Sequence, residues 1–139
     1  MKTRFSSLVS LKKSAMEKSE RVVQRANADI NSASVALELS YNSLQDIDTP
    51  QSGNIAILLA SRALFNSQRG LIQKNKDWLE YTHKQLNLAK EQLKLDMIEF
   101  EKFKYLELQE MKKIIKAQEL KEAKDLDEIA LMTFTRNQK

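Results

Sequence analysis

The residues able to carry out chemistry are few in this chain, and they lie far apart. His83 is the only histidine and cysteine is absent, which excludes a histidine-based triad, a multi-histidine metal site and thiolate ligation within one chain. Gly53 and Gly70 are too far apart to form a glycine-rich phosphate loop. The adjacent carboxylates of Asp127 and Glu128 point to different faces if they lie on a helix. We therefore predict a non-enzymatic protein with no catalytic residue, cofactor or metal.

The composition is typical of long helices and not of a thick core. The 139 residues include one proline, two glycines and 6% aromatic residues, and 30% of them are charged. No apolar stretch of about 18 residues occurs, so we expect no membrane insertion. The lack of cysteine fits a cytoplasmic location. Disorder is the competing interpretation for so polar a chain, but a sustained apolar repeat argues against it.

Apolar residues at strict seven-residue spacing lie on both sides of the only proline. The first series is Val9, Met16, Val23, Ile30, Leu37 and Leu44, and the second is Leu58, Phe65, Ile72, Leu79, Leu86, Leu93 and Phe100. Such a repeat imposes a left-handed supercoil on an α-helix. Two repeats joined by a short turn predict an all-α fold, a two-helix antiparallel coiled-coil hairpin with these residues, Val9 through Leu93, as its core.

The hairpin has predictable limits. We predict a single coiled-coil domain over residues 1–139, with helix 1 at about 3–47, a turn at 48–54 and helix 2 at about 55–135. Thr3 is a suitable N-cap for helix 1, and Asp48, Ser52 or Asn54 could cap helix 2. Within the turn, Pro50 forces the preceding residue away from helical angles, and Gly53 tolerates a positive φ.

The position of the turn predicts a register between the helices. Residues whose numbers sum to about 102 should face each other, which pairs Leu44 with Leu58 and Ile30 with Ile72. The N-terminal end of helix 1 would then lie opposite about residue 99 of helix 2. The longer second helix would overhang at the C-terminus by ~40 residues, or about 60 Å. An amphipathic helix without a partner in its own chain favours a binding role.

The charge is concentrated near the start of the chain. The net charge is +4, and residues 1–25 hold seven bases against two acids. This end could attract an acidic partner surface or nucleic acid, or it could be a solvated helix face. Nucleic-acid binding favours exposed aromatic residues among the bases, and here only Phe5 is present. We therefore predict no nucleic-acid partner.

Both ends of the chain carry short motifs. The first runs from Phe5 through Leu8 and Leu11 to Lys12-Lys13, and the second runs from Asp127-Glu128 through an apolar stretch to Arg136. The start resembles the F-x-x-L-x-x-L-K-like opening of FliJ proteins of the bacterial flagellar type III export apparatus. The end resembles the closing segment of that family, and length, hairpin and basic balance agree.

The resemblance implies a concrete role. FliJ proteins are similar in shape to the central γ stalk of rotary ATPases. The resemblance implies a stalk that inserts into the FliI export ATPase hexamer and promotes its assembly and ATP hydrolysis. It also implies contact with the export gate FlhA, escort of export chaperones, and a cytoplasmic location peripheral to the inner membrane at the flagellar base.

The resemblance also suggests contact residues. The ATPase-ring contact would use charged residues near the C-terminal tip, namely Asp127, Glu128 and Arg136, although solvation alone also explains the two acids. The export-gate contact would use mid-hairpin residues, namely Tyr41, Leu44, Phe65, Gln68 and Ile72, although core packing also explains three of them. Two alternatives stay open: a generic coiled-coil scaffold or adaptor that bridges two protein partners, and an intermolecular parallel coiled coil.

Overall fold

Two helices packed against each other make up the structure, a computed structural model that describes residues 2–48 and 53–137. Helix α1 runs over Ser6–Gln45 and helix α2 over Ile55–Asn137, which is 40 residues against 83. Neither described range contains a strand. The predicted all-α hairpin with a longer second helix is therefore confirmed. Residues 49–52 of the predicted turn lie outside the described residues, and the single-domain assignment stays a prediction.

Side chains close the N-terminal ends of both helices. Thr3 Oγ1 accepts a hydrogen bond from the Phe5 N–H at 3.1 Å, and Ser6 Oγ accepts one from the Thr3 N–H at 2.8 Å. Ahead of α2, Asn54 Oδ1 accepts from the Ile57 N–H at 3.0 Å. These bonds satisfy backbone donors that have no partner within the helix. Of the three candidate caps for α2, Asn54 therefore fills the role.

The chain divides into two compact units, and each contains part of both helices. The terminal unit comprises Met1–Met16 and Asp96–Lys139, and the middle unit comprises Glu17–Leu95.

In the seam of the middle unit, each helix contributes one column of mostly small residues and one column of large apolar residues. The buried residues are Ser19, Ala26, Ala33 and Ser40 on α1 and Ile72, Thr82, Leu86 and Ala89 on α2. Contacting residues of the two helices have numbers that add to between 108, for Ser40 with Gln68, and 117, for Tyr41 with Lys76. This register places the serine and alanine column of α1 opposite the large apolar column of α2.

The predicted register, with numbers adding to about 102, is therefore wrong. Leu58 does not pair with Leu44, and its assignment to the core is wrong too, because it is 47% exposed. Residues 53–60 are all exposed, and Ser61 Oγ donates to the Asp48 carbonyl at 3.5 Å. The first turns of α2 therefore lie before the part of α2 that packs on α1. Antiparallel helices also set a large column against a small one, which fills the seam more evenly than large against large.

The other predicted core residues are all at least partly covered. Ile72 and Leu86 are buried, and the half-buried members are Val9, Met16, Val23, Ile30, Leu37, Leu44, Phe65, Leu79 and Leu93.

In the terminal unit, the start of the chain packs on α2 further along than predicted. Arg4 lies 3.6 Å from the Glu110 carboxylate, and Lys12 lies 3.6 Å from that of Glu99. Half-buried residues continue along α2 as far as Ile114. Residues 115–137, called here the C-terminal segment, are all exposed. The predicted overhang of ~40 residues is therefore too long, and 23 residues, or about 35 Å, extend beyond the packed part.

Candidate functional site

The candidate functional features among the described residues are surfaces of the two helices. Within the described ranges, no group of three or more His, Cys, Asp or Glu residues could hold a metal ion. His83 is exposed on α2. In the same ranges, neither helix is long and apolar enough to cross a membrane. The candidate sites are therefore the seam of the middle unit, its flanks and the C-terminal segment.

A polar layer interrupts the seam of the middle unit, formed by Ser40, Gln68 and Asn75. Gln68 Nε2 donates to the Ser40 carbonyl at 2.9 Å, and Asn75 Nδ2 donates to the Ala36 carbonyl at 3.3 Å and to Ser40 Oγ. Ser40 Oγ donates to the Ala36 carbonyl at 2.8 Å. A helix shifted along the seam would leave these groups without partners, which is how a polar seam residue fixes register.

The predicted gate residues lie close together in the middle unit, but they differ in exposure. Tyr41 is 40% exposed, whereas Ile72 is 6% exposed and belongs to the core. Gln68 is occupied by its bond to Ser40. Leu44 and Phe65 are half-buried. A partner would therefore meet Tyr41 first, with Leu44 and Phe65 as partly covered neighbours.

Tyr41 also has a cationic neighbour on α2. The Lys76 ammonium lies 5.7 Å from the centre of the Tyr41 ring, within the range of a cation–π contact. This contact orients the ring along the flank of the seam, and it brings a positive charge to the same surface.

The three predicted ring-contact residues lie in the exposed C-terminal segment, but they do not share one face. Asp127, Glu128 and Arg136 are all exposed. At about 100° per residue, Asp127 and Arg136 lie on opposite sides of the helix, while Glu128 is about 80° from Arg136. Arg136 lines a shallow groove with Leu131 and Met132. The segment therefore presents its charges on more than one side.

Large apolar residues accompany these charges in the C-terminal segment. Leu120, Leu126, Ile129, Leu131, Met132 and Phe134 are between 58% and 71% exposed. At about 100° per residue these six side chains lie around the helix and not on one face, so their exposure within 15 positions favours a partner that surrounds the helix.

The motif at the start of the chain has a structural role in the terminal unit. The Lys12 ammonium lies 5.5 Å from the centre of the Phe103 ring in addition to its contact with Glu99. Phe5 is half-buried, and Leu8 is 38% exposed. The basic residues of this end are thus partly engaged within their own unit, which favours packing over an open binding face for Lys12.

One surface of α2 is not marked by the apolar repeat. The bases Arg62, Arg69, Lys76, His83 and Lys90 follow one another at seven-residue intervals on α2, and all are exposed. They are called here the basic column. The seven-residue spacing that predicts the core also aligns these five residues, so the sequence itself contains the signal for the basic column.

These features define a class of protein, an all-α two-helix coiled coil whose candidate sites are binding surfaces. Comparison with known proteins finds no curated protein and no solved structure that matches the chain. It does find a family, described as Flagellar FliJ protein, that matches residues 1–139, and the chain belongs to this family. The family assignment predicted from the two terminal motifs is confirmed.

Membership of the family defines the role of the chain at a coarse level. FliJ proteins are non-catalytic components of the flagellar export apparatus. The chain is thus associated with the flagellar export machinery and serves flagellum biogenesis and protein export.

Proposed function

We propose that the chain acts as a stalk that inserts its C-terminal segment into the FliI export ATPase hexamer and promotes ring assembly and ATP hydrolysis. The observation that carries the proposal is the exposure of the whole segment, residues 115–137, as continuous helix. A helix with apolar and charged residues on its surface can contact several subunits of a surrounding ring at once. The charges on different sides, such as Asp127 and Arg136, suit a partner that encloses the helix.

Stimulation of purified export ATPase by the full chain tests this proposal. We expect hydrolysis to rise on addition of the chain, and to rise less with the double variant Asp127→Lys, Glu128→Lys. The control is Glu17→Lys, Glu20→Lys, which changes the charge equally at exposed positions of the middle unit. Absence of stimulation at saturating chain refutes the proposal. If both variants stimulate hydrolysis as strongly as the unsubstituted chain does, the proposed role of Asp127 and Glu128 is refuted.

The export gate FlhA is the second proposed partner, bound through the flank that carries Tyr41, Leu44 and Phe65. Support comes from their proximity in the middle unit and from the 40% exposure of Tyr41. Tyr41→Ala should weaken capture of the chain by the FlhA cytoplasmic linker. Tyr81→Ala, which removes an equal ring of 59% exposure, is the control. If Tyr81→Ala weakens capture as much, the gate contact lies elsewhere.

The proposed function also includes the escort of export chaperones and a location at the flagellar base. The chain would escort chaperones in the cytoplasm and associate peripherally with the inner membrane at the flagellar base through its partners. The competing role is a generic coiled-coil scaffold, and the exposed apolar residues of the C-terminal segment suit either role. A solution mass separates both hairpin roles from a parallel intermolecular coil. The hairpin gives 16.1 kDa, whereas the parallel coil gives at least twice that mass.

A further inference from the structure

The basic column on α2 is unusually uniform in charge. From Ile55 to Met111, this heptad position contains no acid, and in the middle unit it holds two arginines, two lysines and one histidine, of which the four arginines and lysines contribute to the net charge of +4. Residues seven apart on a helix lie nearly in line, so the column from Arg62 to Lys90 is about 42 Å long. All five side chains are exposed, and none takes part in an ion pair among the described residues.

The neighbouring helix does not neutralise the column. The contact between Lys76 and Tyr41 shows which heptad position of α1 faces it. Counting from Tyr41 by sevens gives Ser34, Asn27 and Glu20 towards the start of α1 and Asp48 just beyond its end, so one acid lies at each end of this edge and none lies between them. In antiparallel and parallel coiled coils alike, such flanking positions commonly pair acids with bases across the seam. Between these two acids, the bases of α2 face only Tyr41, Ser34 and Asn27, which carry no charge.

We propose that the basic column binds a helix of a protein partner that carries acidic side chains at seven-residue spacing. Charge complementarity identifies the partner chemistry, and the repeat identifies its conformation. Successive bases are about 10.5 Å apart along α2. A partner helix packed alongside matches this spacing if it carries one acid in every two turns. The phosphates of double-stranded DNA are spaced much more closely than the bases of the column, at about one charge per 1.7 Å of helix axis.

The arrangement of aromatic residues also favours a protein partner. Single-stranded nucleic acid is held by aromatic faces on which bases stack, interleaved with cations. Along this column the only facing aromatic residue is Tyr41, and its ring is in contact with the Lys76 ammonium. The small uncharged residues of α1, Ser34 and Asn27, leave room for a third helix beside the column.

The experiment uses the full chain and a labelled synthetic helix of about 30 residues with Glu at every seventh position. Binding is followed by fluorescence anisotropy at low and at physiological salt, since screening weakens exposed pairs. A second peptide of equal composition, with its Glu residues clustered at one end, tests the spacing. A labelled DNA duplex of about 20 base pairs tests the nucleic-acid outcome. No export protein is needed, so the result is independent of the proposed function.

Two matched variants separate position from net charge. The column variant replaces Arg62, Arg69, Lys76 and Lys90 with Gln. The control variant replaces two lysines and two arginines with Gln, namely Lys18, Arg21, Arg25 and Lys74. These four residues are exposed and lie in the middle unit, as do those of the column variant. Both lower the net charge from +4 to zero. Circular dichroism checks that both variants keep their helix content.

The expected result is binding of the spaced peptide that the column variant weakens about 30-fold, the combined effect of four exposed ion pairs. The control variant should weaken it by no more than about threefold, through net charge alone. The clustered peptide should bind less tightly than the spaced one. Equal loss in both variants, no binding by the unsubstituted chain, or tighter binding of the duplex than of the spaced peptide overturns the proposal.

Discussion

Truncation of Ile72 to alanine should destabilise the protein far more than truncation of Leu58. Both residues occupy the same heptad column of α2, two repeats apart, and both lie in the middle unit. They differ in environment, since Ile72 is 6% exposed and Leu58 is 47% exposed. The pair therefore tests the register of the hairpin directly, because the register with numbers adding to about 102 would bury both.

The expected difference follows from burial. A buried Ile→Ala change costs about 2–5 kcal/mol, and Ile72 should lie near the lower end because a two-helix seam can partly close over the gap. Leu58 loses only about half of the 1.5–3 kcal/mol that full burial of a leucine provides, and it leaves no cavity. Alanine also favours helix by a few tenths of a kcal/mol at either site. We expect losses of about 2–3 kcal/mol for Ile72→Ala and at most about 1 kcal/mol for Leu58→Ala.

Urea unfolding followed by far-ultraviolet circular dichroism measures both losses. The midpoint should fall for Ile72→Ala while the slope of free energy against urea stays unchanged, because the surface exposed on unfolding is nearly the same. Coincident transitions by circular dichroism and Trp78 fluorescence would support two-state analysis.

Equal losses at the two sites would refute the register, and so would a larger loss at Leu58. A change of slope in one variant alone would mean that the comparison no longer concerns the same folded and unfolded states.

The remaining predictions concern two glycines, the polar layer and one ion pair. Gly70→Ala should raise the unfolding free energy by about 0.5–1 kcal/mol in the same urea assay, since an added Cβ meets nothing within 4 Å, and a loss would contradict this. Gly53→Ala should lower it by about 1–3 kcal/mol because its φ is +155°, and a neutral result would count against strain there. Asn75→Ala should cost about 1–2 kcal/mol by leaving partners in the seam unsatisfied, and no loss would remove the polar layer as a stabilising feature. A double-mutant cycle on Lys12 and Glu99 should give a coupling of about 0.2–1 kcal/mol that disappears at about 1 M salt, and a coupling that resists salt would show another origin.

The sequence was sufficient for the helices, because their signals are local or strictly periodic. The seven-residue repeat predicted both, and the side chains of Thr3 and Asn54 mark where they begin. Such capping depends on a few neighbouring residues, so a reading of the sequence can find it.

The register could not be predicted because the repeat itself makes it ambiguous. A shift of about ten residues is one heptad plus the three-residue step from one seam column to the other, so apolar residues still line the seam afterwards. The observed register is the one in which Gln68 and Asn75 bond to carbonyl groups of α1, and in which the large column of one helix faces the small column of the other. Both are properties of the assembled hairpin, and neither is visible in the apolar pattern.

The candidate surfaces were predictable in part for a related reason. Asp127, Glu128 and Arg136 are exposed in any register in which the start of α1 lies well before residue 127 of α2, and this holds for both the predicted and the observed register. The polar role of Gln68 and the burial of Ile72 depend on the register, so their value as contact residues could not be judged beforehand. The spacing of the basic column is visible in the sequence, but the residues of α1 that face it depend on the register, which the contact of Lys76 with Tyr41 defines.

The continuity of α2 changes the thermodynamics of the C-terminal segment. An isolated helix of 23 residues must first nucleate, and nucleation is the unfavourable step, with a constant of about 10⁻³. Here residues 96–114 of the same helix are packed on the start of the chain and serve as the nucleus, so residues 115–137 need only propagation. Order should therefore decrease with distance from residue 114, as a gradient of amide exchange. A partner that binds the C-terminal segment meets a helix that is already formed, so little of the binding free energy is lost to folding of the segment.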